Sequence, residues 1–464
     1  MIGIGGAGVS GLAVVMAQMG YKVSGSDLRP DSVAEKLGEL GVAVYTGHDA
    51  GYVSGADLVV ASAAVPEENP ELIAAGKAGI PILSRAQMLG RLMEGHFGIA
   101  VAGTHGKTTT TSMLAVLLES AGRDPTVLIG GDLDKLNGNA KLGRGNLLLT
   151  EACEAFNSFH DLRPRIAVVT NIEADHLDWH GSLEGVIDSF RQFLSQIEQG
   201  GCAIMCTDCR NVREVIPSIT QRVITYGINE DADFRAFNVE ADAPEPFFRV
   251  MHQGRDLGRL SLRVAGLHNI RNALAAIAVG CELNIDLEVI RSSIAEFHGA
   301  CRRFEVLGTA KGITVIDDYA HHPTEIRATL AAARTWKRRV IAIFQPHLYS
   351  RTKLLADGFA DSLKEADMVM LTEIYPAREK PIPGVSADII SDLINKKSPG
   401  KARYIADKKC LADELVPLLL PGDMVVVMGA GDIRASAEEL LPRISSNEDV
   451  LPEERNCKES EQVQ

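Results

Sequence analysis

Short apolar runs separated by longer amphipathic stretches set the rhythm of this chain. From residue 1 to about 97, the runs YKVSGSD, VAVYTG, DLVVASAAV and IPILSR alternate with helical segments. That alternation predicts a parallel, doubly wound sheet. A new run, GIAVAG at 98–103, passes straight into a glycine loop and a helix from Thr108, and NLLLTEA, RIAVVTN and GCAIMC continue the series. Residues 220–265 are more irregular and lean towards β-structure, after which NIRNALAAIAVG reads as a helix. Beyond CRRFEVLG the strand–helix alternation restarts and runs through ITVIDDYAHHPTEI, RVIAIFQPH, MVMLTEI, ARYIA and DMVVVMGAG. The chain is therefore expected to be α/β with three domains: a Rossmann-like one at 1–97, a P-loop-type one at 98–302 and a second Rossmann-like one at 303–445. Residues 446–464 are polar and acid-rich with few apolar anchors, which predicts a disordered tail.

Composition narrows the function classes. At 464 residues the chain has room for two to four domains, and its 46% hydrophobic and 23% charged content is that of a soluble globular protein. A net charge of −14 argues against a general nucleic-acid binder. It leaves small anionic ligands open, because local backbone amides and a few cations can hold a phosphate in an acidic protein. The apolar N-terminus has no basic residue before Lys22 and is interrupted by glycines, unlike a signal peptide. No uninterrupted run of eighteen apolar residues occurs, so no membrane insertion is expected and the cytoplasm is the default compartment. Eight cysteines in a chain this long do not form a disulfide framework. Cys202, Cys206 and Cys209 have the spacing of an iron–sulfur signature, but Ala203, Ile204 and Met205 between the first two favour a buried strand ending in a turn.

Two glycine loops carry the candidate chemistry. Gly3, Gly5 and Gly8 complete a G-x-G-x-x-G, and Asp27 follows nineteen residues after Gly8, the pattern of a dinucleotide site. The chain starts two residues before this loop, so either its first strand is unusually short or its start lies upstream. The second loop, GTHGKTTTT at 103–111, lies between a strand and a helix, although Gly103 and Gly106 are closer than in a standard Walker A loop. Its glycines let amides face phosphate, Lys107 supplies a β/γ-phosphate cation, and the Thr108 hydroxyl can ligate Mg²⁺. Further ligands are expected at neighbouring strand ends, where Glu151 and the pair Asp175 and His176 stand.

GTHGKTTTT, EACE, NIEADH, HNIRN, RRFE, DDYAHHPTE and QPHLYSR occur in that order. Together they resemble the Mur ligases, and within them the branch that adds alanine, from Gly3 to about Leu440. The resemblance implies ATP-dependent joining of a carboxylate to an amine in peptidoglycan synthesis, with UDP-N-acetylmuramate and L-alanine as the partners and ATP and Mg²⁺ as cofactors. It implies that Gly103, Thr104, His105, Gly106, Lys107, Thr108 and Thr109 hold ATP phosphates, and that Thr108 and Glu151 bind a first Mg²⁺ and His176 a second. Asn269 and Asn272 would reach adenine, Arg303 a nucleotide phosphate and Asp318 a ribose hydroxyl. His347 and Arg351 would face the acceptor site, Arg351 neutralising the alanine carboxylate, with Tyr319, His321 and His322 either lining the same cleft or standing as strand-end surface. Gly5, Gly6, Ala7, Gly8, Ser26, Asp27, His48 and Ser62 would line the UDP-sugar pocket.

Three departures stand out. Leu348 occupies a position that is Arg in many relatives, EACEAFNSF replaces a more acidic segment and leaves the role of Glu154 open, and only two residues precede the first glycine loop. No lysine lies between Lys141 and Lys311, so the carbamylated lysine of several sibling ligases has no counterpart there. Alternative functions are the recycling ligase that adds a preformed tripeptide, an NAD(P)- or flavin-dependent oxidoreductase resting on the first glycine loop, and a non-catalytic sugar-nucleotide sensor.

Overall fold

The computed structural model describes residues 1–446 apart from 230 and 378. The chain forms two compact units, one of residues 1–240 with 245–301, the other of 241–244 with the chain from Arg302 on. Residues 447–464, nearly all of the expected tail, lie outside the described residues. Among the described residues no helix is long and apolar enough to cross a membrane.

The first unit opens with α1 (Ala7–Gln18), β1 (Ser24–Asp27), α2 (Asp31–Glu39), β2 (Ala43–Thr46), β3 (Val59–Ala61), α3 (Pro70–Ala78), β4 (Ile82–Ser84) and α4 (Arg85–Met93). β1 pairs with β2 and β3 with β4, both parallel, and Ile2 bridges Ser26 and Ala61 between the two pairs. The expected parallel sheet is thus present with a central rung one residue long. Gly3, at φ +79°, turns the chain out of the sheet at once.

There follow β5 (Phe97–Ala102), α5 (Lys107–Ser120), β6 (Thr126–Leu133), β7 (Gly138–Lys141), β8 (Leu147–Glu151), β9 (Ile166–Val169), α6 (Leu177–His180), α7 (Leu183–Ser195), β10 (Cys202–Cys206) and α8 (Arg210–Val215). β11 (Arg222–Gly227), β12 (Phe234–Glu240), β13 (Phe247–His252), β14 (Arg255–Ser261), α9 (Leu267–Glu282) and α10 (Leu287–Ala295) complete the unit. Its ten strands run β14-β13-β12-β11-β10-β9-β5-β8-β6-β7, parallel from β12 to β6 with an antiparallel edge on each side. The innermost strands are buried along nearly their whole length, hence their unbroken apolar runs. Cys202 and Cys206 stand four residues apart in β10, roughly 13 Å along an extended strand. That distance is too long for one cubane, and burial pushes both thiols up to about 11. The strand reading of the cysteines holds.

The hairpin β6–β7 carries the docking of the N-terminal segment. Asn139 Nδ2 donates to Ala7 O at 2.8 Å, Leu142 N donates to Gln18 Oε1 at 2.7 Å, and α1 shares one apolar cluster with Leu128 and Ala140. Such cover against water is the main source of cohesion between layers.

The second unit consists of β15 (Glu305–Ala310), β16 (Ile313–Asp318), α11 (Pro323–Arg334), β17 (Val340–Phe344), α12 (Tyr349–Leu363), β18 (Met368–Thr372), α13 (Asp388–Lys397), β19 (Ala402–Ile405), α14 (Leu411–Leu415), β20 (Met424–Met428) and α15 (Arg434–Ser446). Its sheet order is β15-β16-β20-β17-β18-β19, with only β15 antiparallel. α11, α12 and α13 cover one face, α14 and α15 the other. Inserting β20 between β16 and β17 makes a switch point, and the ends of these strands frame the crevice where such sheets bind ligands.

An ion network fastens the edge of this sheet. Arg434 Nη1 lies 2.6 Å from Glu305 Oε2 and 2.9 Å from Asp317 Oδ2, and Arg302 Nε lies 3.3 Å from the same Asp317 oxygen. Asp317 is fully buried. Its carboxyl is pushed up by burial, against the pull of both guanidinium groups. Arg434→Met is therefore expected to cost about 3 kcal/mol, because it takes one partner from a buried charge. Urea denaturation of parent and variant measures this, and equal midpoints would show the network to be idle.

Candidate active site

Local chemistry builds the first glycine loop. Gly5 N donates to Asp27 Oδ2 at 3.0 Å and Arg29 N donates to Asp27 Oδ1 at 3.0 Å, so the acid at the end of β1 holds its own loop. Gly6 is the N-cap of α1, and Ala7 and Gly8 open its first turn. Ser62 sits across from Gly3, its backbone N–H donating to Ile2 O at 3.0 Å. Ser26 is fully buried and its hydroxyl donates to Glu71 Oε1 at 2.5 Å; His48 Nδ1 lies 2.8 Å from that oxygen and 3.1 Å from Ser26 Oγ. Sequence reading missed Glu71, which looks like an ordinary first-turn acid of α3 until the fold brings it to Ser26.

The second loop is held from the end of β9. His105 N donates to Asn171 Oδ1 at 2.8 Å and Asn171 Nδ2 donates to His105 O at 2.9 Å, while Thr170 Oγ1 donates to the same carbonyl at 2.6 Å. Glu173 N donates to Thr104 Oγ1 at 2.8 Å. Gly103 and Gly106 take φ +136° and +83°, values that side chains oppose. α5 then starts at Lys107 and buries Thr108 and Thr109 in its first turn.

Lys107 Nζ lies 2.9 Å from Glu154 Oε2 and also donates to the Gly103 and Thr104 carbonyls. Burial alone would lower the ammonium's pKa, but Glu154 together with Cys153 and Glu151 more than offsets this and raises it. Glu154, whose role the sequence left open, is thus the buried counter-ion of the loop lysine. Glu151 Oε1 accepts from Gly130 N at 2.7 Å, and a Cβ on the next residue, Gly131, would lie 3.3 Å from Thr108 Cγ2. The hairpin therefore brings Glu151 and Thr108 to one side of the loop. His176 caps the short helix α6 at φ +52°. One turn on, His180 Nε2 lies 3.2 Å from Glu154 O, which ties the β9 loop to the β8 loop. Asn269 and Asn272 are buried in the first turns of α9; Asn272 Nδ2 donates to Asn269 Oδ1 at 3.2 Å, and a Cβ on Gly106 would lie 2.7 Å from Asn272 Oδ1.

In the second unit, Asp318 ends β16 and accepts from Phe304 N and Ala320 N, each at 2.7 Å. Burial pushes its carboxyl up to about 6, against the lowering effects of Arg303 and the two amides. Arg302 and Arg303 both lie over the Tyr319 ring, 4.9 and 5.2 Å from its centre. The His321 and His347 rings are 5.8 Å apart, and His347 stacks on Tyr375 at 5.8 Å. His322 is the N-cap of α11, its Nδ1 accepting from Thr324 N at 3.3 Å. Leu348 precedes α12 at φ +70°, and Arg351 lies in that helix's first turn.

A pH prediction follows from Asp318. With a folded pKa above its ordinary 3.8, the folded chain holds this proton where the unfolded chain has released it. Its contribution to stability therefore falls as pH rises from about 4 to about 6 and is constant above. Asp318→Asn removes this slope, so the parent should lose stability relative to the variant across that window. Urea titrations at several pH values test it; parallel curves would refute it.

Family models match the chain in three consecutive stretches. They are the Mur ligase family catalytic domain over residues 1–97, the Mur ligase middle domain over 101–280 and the Mur ligase glutamate ligase domain over 302–431. A UDP-N-acetylmuramate–L-alanine ligase of Geotalea daltonii is 46% identical over 444 residues, covering 96% of this chain and 97% of that one. Its counterpart in Trichlorobacter lovleyi is 47% identical over 446 residues, covering 96% and 98%. Among solved structures, a UDP-N-acetylmuramate–alanine ligase from Thermotoga maritima matches with a TM-score of 0.83 and 29% identity over 96% of this chain and 98% of that one. A murein peptide ligase from Psychrobacter arcticus matches with a TM-score of 0.70 and 26% identity over the same shares. With three family models in register and near-complete relatives at this identity, the chain belongs to the Mur ligase family.

Proposed function

We infer that this chain is an ATP-dependent ligase that joins L-alanine to the carboxylate of UDP-N-acetylmuramate, a step in making peptidoglycan precursors. End-to-end identity of 46% with relatives of that named activity carries the reading. Lys107, paired with the buried Glu154, and its loop supply the chemistry it needs. In this reaction the substrate carboxylate attacks the γ-phosphate of ATP and releases ADP. The resulting acyl phosphate takes the amine at its carbonyl carbon, and the tetrahedral intermediate expels phosphate. Such chemistry rests on positioning and charge neutralisation.

In this reading the first glycine loop, with Ser26, Asp27, His48 and Ser62, serves the UDP-sugar, and Lys107 with the loop amides neutralises ATP phosphates. Asn269 and Asn272 supply amide groups suited to a base edge. Arg303 and Asp318 serve the nucleotide, and His347 and Arg351 the acceptor amino acid. The hard oxygens of Thr108 and Glu151, beside the loop, suit a first Mg²⁺ and His176 a second, and these ions would supply charge neutralisation between phosphates when bound. An oxidoreductase reading fits poorly: Asp27 is engaged with backbone amides of its own loop, and hydride transfer gives Lys107 no task. Phosphate release is measured with ATP and UDP-N-acetylmuramate, with and without L-alanine or a murein tripeptide. Alanine-dependent release is expected, and release with the tripeptide alone would assign the recycling reaction instead.

A further inference from the structure

Strand β10 ends in a Cys-Thr-Asp-Cys turn. Cys209 N donates to Cys206 O at 3.4 Å and closes residues 206–209 into a four-residue turn. The first and last Cα atoms of such a turn lie less than about 7 Å apart, and a disulfide spans about 4.4–6.8 Å. The Cys206 sulfur accepts from the Asp208 amide inside this turn, which directs it towards Cys209, whose charge it feels. Cys206 is buried and Cys209 half-buried. Cys202 stands at the far end of the strand and takes no part in the pair.

The turn supports two segments around the second glycine loop. Cys209 Sγ accepts from Ile172 N at 3.4 Å and donates to Ile172 O at 3.7 Å, and Asn211 Nδ2 donates to that carbonyl at 2.8 Å. Ile172 is fully buried and directly follows Asn171, whose amide holds both backbone groups of His105. Between the cysteines, Asp208 accepts from Arg271 Nε at 2.7 Å and from the Ile228 and Asn229 amides. Arg271 lies in α9 between Asn269 and Asn272.

We propose that Cys206 and Cys209 form a reversible redox switch, which a small dialkyl disulfide closes and which then loosens the support of the phosphate loop. Cys209 is the more exposed of the two and is the point of entry. Its thiolate attacks one sulfur of the incoming disulfide, and the other half leaves as a thiolate. Cys206 loses its proton and attacks the Cys209 sulfur, a step favoured by proximity, and the second half leaves in turn. Two cysteine thiols are thus oxidised to one disulfide, one external disulfide is reduced to two thiols, and the two protons pass through solvent to the leaving thiolates. In the closed turn Cys209 has no S–H to donate to Ile172 O, and its sulfur is drawn off Ile172 N, which leaves a buried amide without that acceptor. External thiols reverse the change, as suits a pair of cysteines in a reducing compartment. The effect on nucleotide rests on the assignment of the second glycine loop to ATP.

The test treats the full chain with oxidised glutathione, alkylates the remaining thiols and digests with trypsin. Residues 192–210 then form one peptide that carries Cys202, Cys206 and Cys209. That peptide should be lighter by two hydrogens, with only Cys202 alkylated. Titration calorimetry should show ATP binding weakened about tenfold, the scale of one lost buried hydrogen bond, and UDP binding unchanged. Dithiothreitol should reverse both results. In Cys209→Ser, whose hydroxyl can still serve Ile172, no disulfide should form and ATP binding should be equal before and after treatment. Alkylation of all three sulfurs in the parent, or a lasting glutathione adduct on Cys209, would overturn the pair. A disulfide that leaves ATP binding unchanged would overturn the switch, and an equal loss in Cys209→Ser would place the effect on another thiol. A reduced parent that does not bind ATP would remove the assignment of the loop and the switch with it, while the peptide mass would still report whether the pair closes.

Discussion

Lys107→Met is expected to lower ATP-dependent phosphate release by about 10³-fold, the scale on which removing one preorganised charge from a phosphoryl or oxyanion site acts. A second effect comes from the counter-ion. Glu154 is almost wholly buried and lies 2.9 Å from the ammonium. Without Lys107 that carboxylate is stranded, which costs about 3–5 kcal/mol of stability at neutral pH. The double variant Lys107→Met with Glu154→Gln should regain most of the stability and none of the activity. Phosphate release and urea denaturation separate the two effects, and UDP binding should survive both changes. A single variant as stable as the parent would show that Glu154 is not held by the lysine.

The contrast between Lys107 and Glu154 shows what was legible in the sequence. The lysine stands in a local pattern, with strand, glycine loop and helix following in a dozen residues, so its role can be read without tertiary information. Its counter-ion lies 47 residues away and Asn171 lies 66 residues from the loop carbonyl and amide it holds. Nothing in their neighbourhoods announces those pairings. Glu71 was invisible for the same reason: it looks like an ordinary first-turn residue until the fold brings Ser26 and His48 against it. The long buried strands were readable because burial on both faces leaves an unbroken apolar run. The hairpin β6–β7 was not, since Gly130, Gly131 and several charged residues interrupt its pattern. His322 shows the reverse case. Beside His321 it resembles a functional pair, and the HPTE stretch is also a capping sequence, so that capping, which the fold shows, and a place in the cleft are compatible readings of one side chain.

Substitutions at Asn171 should separate the shape of the phosphate loop from its charge. The amide accepts from His105 N and donates to His105 O, and Thr170 donates to that same carbonyl. Asn171→Leu removes both contacts. The carbonyl keeps Thr170, but the amide N–H loses this acceptor, at about 1–3 kcal/mol. The loop should loosen, with a fall in kcat of about 10²-fold, since small misplacements in such sites cost that much. Asn171→Asp keeps an acceptor for the N–H, and Thr170 still serves the carbonyl, so stability should stay near that of the parent. It brings a negative charge to a loop that must receive ATP, however, and like charges at short range raise the KM for ATP by about ten- to a hundredfold. Added salt should narrow that gap for the Asp variant and leave the Leu variant unchanged, because screening acts on charge and not on loop geometry. Steady-state kinetics at two salt concentrations, with urea midpoints for both proteins, decide the matter. If both variants lose stability equally and show no difference in salt response, Asn171 supports the fold of the loop and has no electrostatic part in binding the nucleotide.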